Sequence, residues 1–232
     1  MIKNTDFNRT ATKMVAKALG ELNDQVIYVG GAVVSLYIDD PAAEDVRPTK
    51  DIDISMNLAS MHDLEKLREE LQKRGFKQTH EEGVICRFIL EDELKVDVMN
   101  TTALGWAPAN PWFAPGLNDL VTHQIDEYQI KCLSLPYFLA TKFTAFRSRG
   151  AKDPRTSHDF EDIIYLLNHT SDWIEQVQNA DTEVKTNLIS EFDNILNSSS
   201  MQEAMIGHLF FEDQDYHYNK ILSGLKQICH VV

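Results

Sequence analysis

Val26-Ile27-Tyr28-Val29-Gly30-Gly31 and Thr49-Lys50-Asp51-Ile52-Asp53-Ile54 are the stretches that decide the fold, with Val96-Asp97-Val98 as a third, shorter one. The first is an apolar run that stops at two glycines. It reads as a short buried strand ending in a tight turn, where a backbone without Cβ atoms can approach a ligand closely. In the second, strand alternation puts Asp51 and Asp53 on one face and Ile52 and Ile54 on the other. Two carboxylates side by side repel each other unless a cation sits between them. Asp97, flanked by Val96 and Val98, repeats the design and can bring a third oxygen from a neighbouring strand. Hard divalent cations such as Mg²⁺ take oxygen ligands of this kind and keep positions open for water and substrate phosphates. Alternating Asp and Ile also describes a half-solvated antiparallel strand, and Gly-Gly alone marks any turn. The ordered set of strand, Gly-Gly, helix, Asp-x-Asp strand and Asp strand favours a metal-dependent phosphoryl or nucleotidyl transfer site.

The Gly30-Gly31 turn, Asp51-Ile52-Asp53 and Asp97 resemble the minimal nucleotidyltransferase core of the DNA polymerase β superfamily. Two later segments, Ser134 to Arg147 around Lys142 and His158-Asp159-Phe160-Glu161-Asp162, resemble the AbiEii/AbiGii-type branch of bacterial abortive-infection and toxin-antitoxin nucleotidyltransferases. The resemblance covers about residues 25 to 168. It departs from the pattern twice. Nineteen residues separate Gly31 from Asp51, an excess carried by the acidic, proline-bearing stretch Asp39 to Pro48 that reads as a surface loop, and His158 stands where the branch usually has Arg.

The bulk composition is that of an ordinary soluble globular protein and limits its partners. A chain of 232 residues with 43% hydrophobic and 25% charged residues can bury a sizeable core. The N-terminus lacks the apolar segment of a signal peptide and no run reaches membrane-spanning length, so the expected location is the cytoplasm. Cys86, Cys132 and Cys229 form no C-x-x-C pair, which fits buried thiols in a reduced compartment better than disulfides or zinc. The formal net charge is −14, whereas a protein that grips nucleic acid broadly carries a basic footprint. The concentrated basic segment is Lys142, Arg147, Arg149, Lys152 and Arg155, which with Asp153 sums to +4 and leaves −18 elsewhere. Contact with RNA is expected to be local to that patch, whose bland alternative is a solvated helix end. The acidic remainder suits a basic protein partner or simple solubility.

Along the chain, residues 5–20 read as an amphipathic helix with Asp6 as cap and Phe7, Ala11, Met14, Val15 and Ala18 inward. A strand at 25–29, a short helix at 32–37, a strand at 51–56 and a helix at 60–74 capped by Ser60 and stopped by Gly75 follow. Strands at 84–90 and 94–99 form a hairpin across Glu91-Asp92-Glu93. Residues 100–127 read as a proline-bearing loop whose Trp106, Trp112 and Phe113 plug a core or, less often, stack on a nucleobase. Tyr128 to Leu133 reads as an edge strand. Helices follow at 135–147 and 157–167, then about four more, with Trp173, Val177, Leu188, Phe192, Leu196, Phe210 and Leu222 as core candidates. The expected fold class is therefore α+β: a nucleotidyltransferase mixed sheet with flanking helices over 1–133, and a helical domain over 134–232 that completes the active-site cleft.

The resemblance implies transfer of a nucleoside monophosphate from an NTP to a hydroxyl, with Asp51, Asp53 and Asp97 as catalytic metal ligands, two Mg²⁺ ions being the usual arrangement. It further implies Gly30, Gly31, Thr49, Lys50, Lys142 and Arg147 as nucleotide-binding residues, and Lys142 and Asp159 as catalytic, with Asp159 orienting Lys142 or Arg147. A structural lysine remains the alternative for Lys142. An acceptor such as tRNA and a separate antitoxin would follow from the toxin branch. A small molecule or a protein side chain is the competing acceptor, favoured by the charge, and a non-catalytic binding protein is opposed by the three intact aspartates.

Overall fold

The computed structural model describes residues 3–79, 86–103 and 109–230. The chain divides into two compact units, one of Met1–Leu36 with Asp45–Ser134 and the other of Tyr37–Glu44 with Leu135–Val232. The acidic stretch 37–44, read from sequence as part of the first domain, thus belongs with the helices of the second.

Among the described residues, the first unit is built on a mixed sheet of seven strands: β1 (Val26–Val29), β2 (Asp51–Met56), β3 (Lys77–Gln78), β4 (Arg87–Leu90), β5 (Leu94–Asn100), β6 (Leu120–Ile125) and β7 (Tyr128–Leu133). Their spatial order is β3-β4-β5-β2-β1-β7-β6. Strand β1 is buried at all four positions because it is central, antiparallel to β2 and parallel to β7. Strand β2 alternates as its sequence requires, with Ile52 and Ile54 buried and Asp51 and Asp53 half-buried. Helices α1 (Lys3–Leu19), α2 (Met61–Lys73) and the single turn α3 (Phe113–Gly116) accompany the sheet. In α2 the Ser60 hydroxyl accepts from the Asp63 N–H, Leu64, Leu67 and Leu71 face inward, and Gly75 takes φ of 90° just past the end, as expected.

Four local expectations are corrected. The buried stripe of α1 is Asn8, Ala11, Thr12, Val15, Ala16 and Leu19, and Phe7 is 56% exposed. The stripe is rotated because Asn8 is needed inside: its amide donates to the Arg47 carbonyl at 3.4 Å, and its Oδ1 accepts from the Thr49 N–H at 3.5 Å. Asp6 lies within the first turn and does not cap it; Asp45 does so from the inserted loop, accepting from the Asn4 and Thr5 N–H groups at 2.7 and 2.9 Å. The segment after the two glycines is a 3-10 stretch, Gly31–Leu36, too short to add a helix macrodipole. Finally, β6 was hidden within the predicted loop, so β7 is interior and β6 forms the edge. Trp112 and Phe113, 9% and 4% exposed, plug the core, while Trp106 and residues 84–85 lie outside the described residues.

The second unit comprises α4 (Leu135–Ala145), α5 (His158–His169), α6 (Trp173–Asn179), α7 (Thr182–Leu196), α8 (Ser199–Gly207) and α9 (Gln214–His230). Helix α4 is buried from Leu135 to Phe143 and passes into a π-helical turn, Phe146–Gly150, where a longer α-helix was expected. Trp173, Val177, Leu188 and Phe192 are core residues, as read from the sequence. Leu196 and Leu222 are only half-buried, and Phe210 is 56% exposed; Ile221, Leu225 and Ile228 fill the inner face of α9 instead. Stretch 37–44 straps the end of α5: the Asp39 and Asp40 N–H groups donate to the His169 carbonyl, and Tyr37 stacks on Phe138 at 4.5 Å. Here the nineteen-residue spacing does more than add a surface loop.

Candidate active site

The sheet register assembles the acidic cluster. Strands β2 and β5 run parallel with Asp53 opposite Asp97, so the two side chains share a face, and Asp51 stands two residues away on that same face. One oxygen from each of Asp51, Asp53 and Asp97 lies within 4.8 Å of the others, and all three are half-buried. Three such oxygens suit a hard divalent cation, and their mutual repulsion makes the set favourable only with positive charge nearby.

The glycine turn closes one side of the cluster. Gly30 has φ of 74°, and a Cβ there would lie 1.9 Å from Asp53 Oδ2. Glycine is therefore required on two counts, backbone conformation and space. At Gly31 a Cβ would lie 2.4 Å from Nη2 of Arg47, whose guanidinium comes back from the inserted loop to cover the turn. Thr49 is buried, and its hydroxyl lies 3.2 Å from Asp51 Oδ1 and 3.1 Å from the Asp51 carbonyl, so it supports a carboxylate directly. Lys50 is exposed.

A cation already sits at the cluster. Arg87, opposite Asp97 on the antiparallel strand β4, donates from Nε and Nη2 to the two oxygens of Asp97, each at 2.7 Å. The same Nη2 is 3.6 Å from Asp51 Oδ2, and the Arg87 side chain is only 15% exposed. Sequence reading missed this residue, although the hairpin register contained it. Pairing Leu90 with Leu94 across the turn fixes Arg87 opposite Asp97. Arg47 gave no such signal, because its position follows from the path of a loop.

In the second unit the late motifs form a buried ionic group. Lys142 Nζ lies 2.6 Å from Asp162, 4.0 Å from Asp159 and 5.5 Å from the centre of the Phe138 ring. Lys142, Asp159 and Asp162 are all under 5% exposed. Asp159 accepts a bidentate pair from Arg149 at 2.7 and 2.8 Å. Arg147 pairs instead with Glu191, another buried carboxylate, at 2.5 Å. The arginine that serves the late aspartate is thus Arg149 and not Arg147, its neighbour in the same π-helical turn, while His158 is exposed and bonds Glu161 one turn on.

Comparison with known proteins places these features. The profile of the family described as "Nucleotidyl transferase AbiEii toxin, Type IV TA system" matches residues 14–215. The chain belongs to the AbiEii nucleotidyltransferase toxin family. No curated protein sequence matches it. Among solved structures, an antigenic nucleotidyltransferase-like protein from Paracoccidioides brasiliensis is 19% identical, with a TM-score of 0.51 over 86% of this chain and 92% of that one. The antibiotic-resistance factor ANT(2'')-Ia gives a TM-score of 0.49 at 15% identity over 84% of this chain and 97% of its own. A crystal structure of ANT(2")-Ia with adenylyl-2"-tobramycin gives 0.49 at 18% over 79% and 98%. The first of these likenesses supports the α+β nucleotidyltransferase fold. As an AbiEii-family nucleotidyltransferase, the chain carries its acidic cluster, glycine turn and late motifs all inside the matched span.

Proposed function

We propose that this AbiEii-family protein transfers a nucleoside monophosphate from an NTP to an acceptor hydroxyl, using Asp51, Asp53 and Asp97 to hold Mg²⁺. The observation that carries the reading is the convergence of these three carboxylates beside Gly30, where any Cβ would crowd Asp53. Bound Mg²⁺ would supply neutralisation of the triphosphate's charge. The acceptor oxygen forms a bond to the α-phosphorus, the bond to the bridging oxygen breaks, and pyrophosphate leaves. Asp97 is the group assigned to help activate the acceptor hydroxyl by receiving its proton: each carboxylate oxygen has two lone pairs, so even the bidentate contact with Arg87 present without nucleotide leaves acceptor capacity on both. Gly30 and Gly31 let phosphate approach the backbone, and Thr49 fixes Asp51. Lys142 and Asp159, with Arg147, remain the proposed contribution of the late motifs. Because Lys142 is buried against Asp162, it meets a phosphate only if that ion pair opens.

On the family's description, an antitoxin restrains the enzyme and the activity is toxic. For the acceptor, one observation favours a small molecule or a protein side chain over tRNA: Lys142, Arg147, Arg149 and Arg155 of the basic segment are all paired with carboxylates. The test incubates the protein with each labelled NTP, Mg²⁺ and either total RNA or an RNA-free lysate. Label is expected on an acceptor in one of the two, and Asp53→Ala is expected to abolish transfer without unfolding the protein, since removing one clustered carboxylate relieves repulsion. Full Mg²⁺-dependent transfer by that variant would refute the assignment.

A further inference from the structure

Arg87 bears directly on how many cations the site can hold. It reaches both oxygens of Asp97 in the fork geometry that suits guanidinium and carboxylate, and the same nitrogen leans toward Asp51. Arg87 and Asp97 are 15% and 16% exposed, so water screens this pair little. Counting these four groups alone, three carboxylates and one guanidinium leave a formal −2, which a single divalent ion cancels. A second ion at Asp97 would meet an arginine already occupying the space and the charge it needs. Cross-strand register holds Arg87 there, so the contact is part of the sheet and not the chance reach of a surface side chain.

We propose that Arg87 is the resident counter-cation of the carboxylate site: it positions Asp97 and restricts the nucleotide-free protein to one divalent ion, held by Asp51 and Asp53. This rests on the metal-dependent transferase reading above. Arg87 stabilises the empty site, where three carboxylates would otherwise repel, and a second ion enters only by displacing the guanidinium from Asp97. Delivery of that ion then belongs to the NTP, whose phosphates give the released Arg87 a new anionic partner.

The test measures Mn²⁺ binding to the full chain without nucleotide, from the free Mn²⁺ signal in electron paramagnetic resonance, for wild type and Arg87→Gln. Wild type is expected to bind one ion. Arg87→Gln is expected to bind two, the second about tenfold or more tighter than any second ion in wild type, since removing a unit charge this close acts strongly on a divalent ion. Thermal unfolding in EDTA should show Arg87→Gln less stable than wild type, with the difference removed by Mn²⁺. If Arg87→Gln fails to fold, Arg87→Lys serves in its place: a point charge cannot span both oxygens, and a second Mn²⁺ of affinity between the other two is expected. Two ions in wild type, or identical binding in the variants, would overturn the role of Arg87 and leave the transferase reading standing. Absence of Mn²⁺ binding in every form would instead sink the carboxylate site as a metal site, and the role of Arg87 with it.

Discussion

Gly30 is the position where one side chain decides the most. Its φ of 74° disfavours any residue with a Cβ by about 1–2 kcal/mol, and that Cβ would also press on the Asp53 carboxylate from 1.9 Å. Gly30→Ala should therefore displace Asp53, lower Mn²⁺ affinity at least about tenfold and remove transfer, and cost stability more than the backbone term alone, because the added Cβ would also lie 2.7 and 2.9 Å from Asp53 Cγ and Cβ. Gly31→Ala is the matched control, because its Cβ would meet only the far end of Arg47, which can swing aside. Equal Mn²⁺ affinity in Gly30→Ala and wild type would show that the turn does not shape the site. Part of the candidate site was legible in the sequence, since strand alternation puts Asp51 and Asp53 on one face, while Asp97 joins them through the β2–β5 register. The charge that answers them was not: Arg87 is brought in by a hairpin register and falls in no motif, and Arg47, which covers the glycine turn, is placed by the path of a loop.

At the scale of elements, the N-terminus of α1 is capped from far along the chain. Asp45 accepts from the N–H groups of Asn4 and Thr5 and from the Thr5 hydroxyl at 3.0 Å. Burial acts to raise the Asp45 pKa, but these hydrogen bonds together hold it below the ordinary carboxylate value. Because the folded value is depressed, the stabilisation is fully present above the unfolded value of about 3.9 and is lost as pH falls through the lower folded value. Asp45→Ala is expected to lose about 1 kcal/mol at neutral pH, and its stability curve to merge with wild type only below about pH 3.9, in denaturant titrations across the acid range. A constant gap down to the lowest pH would assign the loss to packing. The same kind of distance explains which elements could be read. Helix α2 carries its own cap and stop and was legible, whereas β6 (Leu-Val-Thr-His-Gln-Ile) is a half-solvated edge strand with too few apolar residues to declare itself against the prolines before it. The stripe of α1 was misread by one step because two buried polar residues, Asn8 and Thr12, serve hydrogen bonds that apolar periodicity cannot register.

For the whole molecule, charge decides what kind of acceptor the enzyme can hold. The chain carries a formal −14, and from sequence its basic segment was the place to which any RNA contact would be confined. The structure commits Lys142 to Asp162, Arg147 to Glu191, Arg149 to Asp159 and Arg155 to Asp153, so five cations face four carboxylates and a formal +1 remains. Counterion release scales with the phosphates a protein neutralises, at about −0.7 in the logarithmic salt slope per contact for single strands. Five free cations would give a slope of about −3.5; a net charge of one gives a slope on the order of −1. Binding of RNA to the protein, titrated between low and physiological salt, is therefore expected to be weak, with a salt slope no steeper than about −1, and Lys152→Glu with Arg155→Glu to leave transfer to the true acceptor unchanged. The buried carboxylates make this double variant a cleaner probe than one at Arg149, whose removal would strand Asp159 without its bidentate partner and cost stability for a reason unrelated to substrate. A slope of about −3 or steeper, together with loss of transfer in the double variant, would mean that the ion pairs open to engage phosphates, and tRNA would become the better acceptor. A shallow slope with undiminished transfer leaves a small molecule or a protein side chain as the acceptor that an acidic enzyme can approach without a basic footprint.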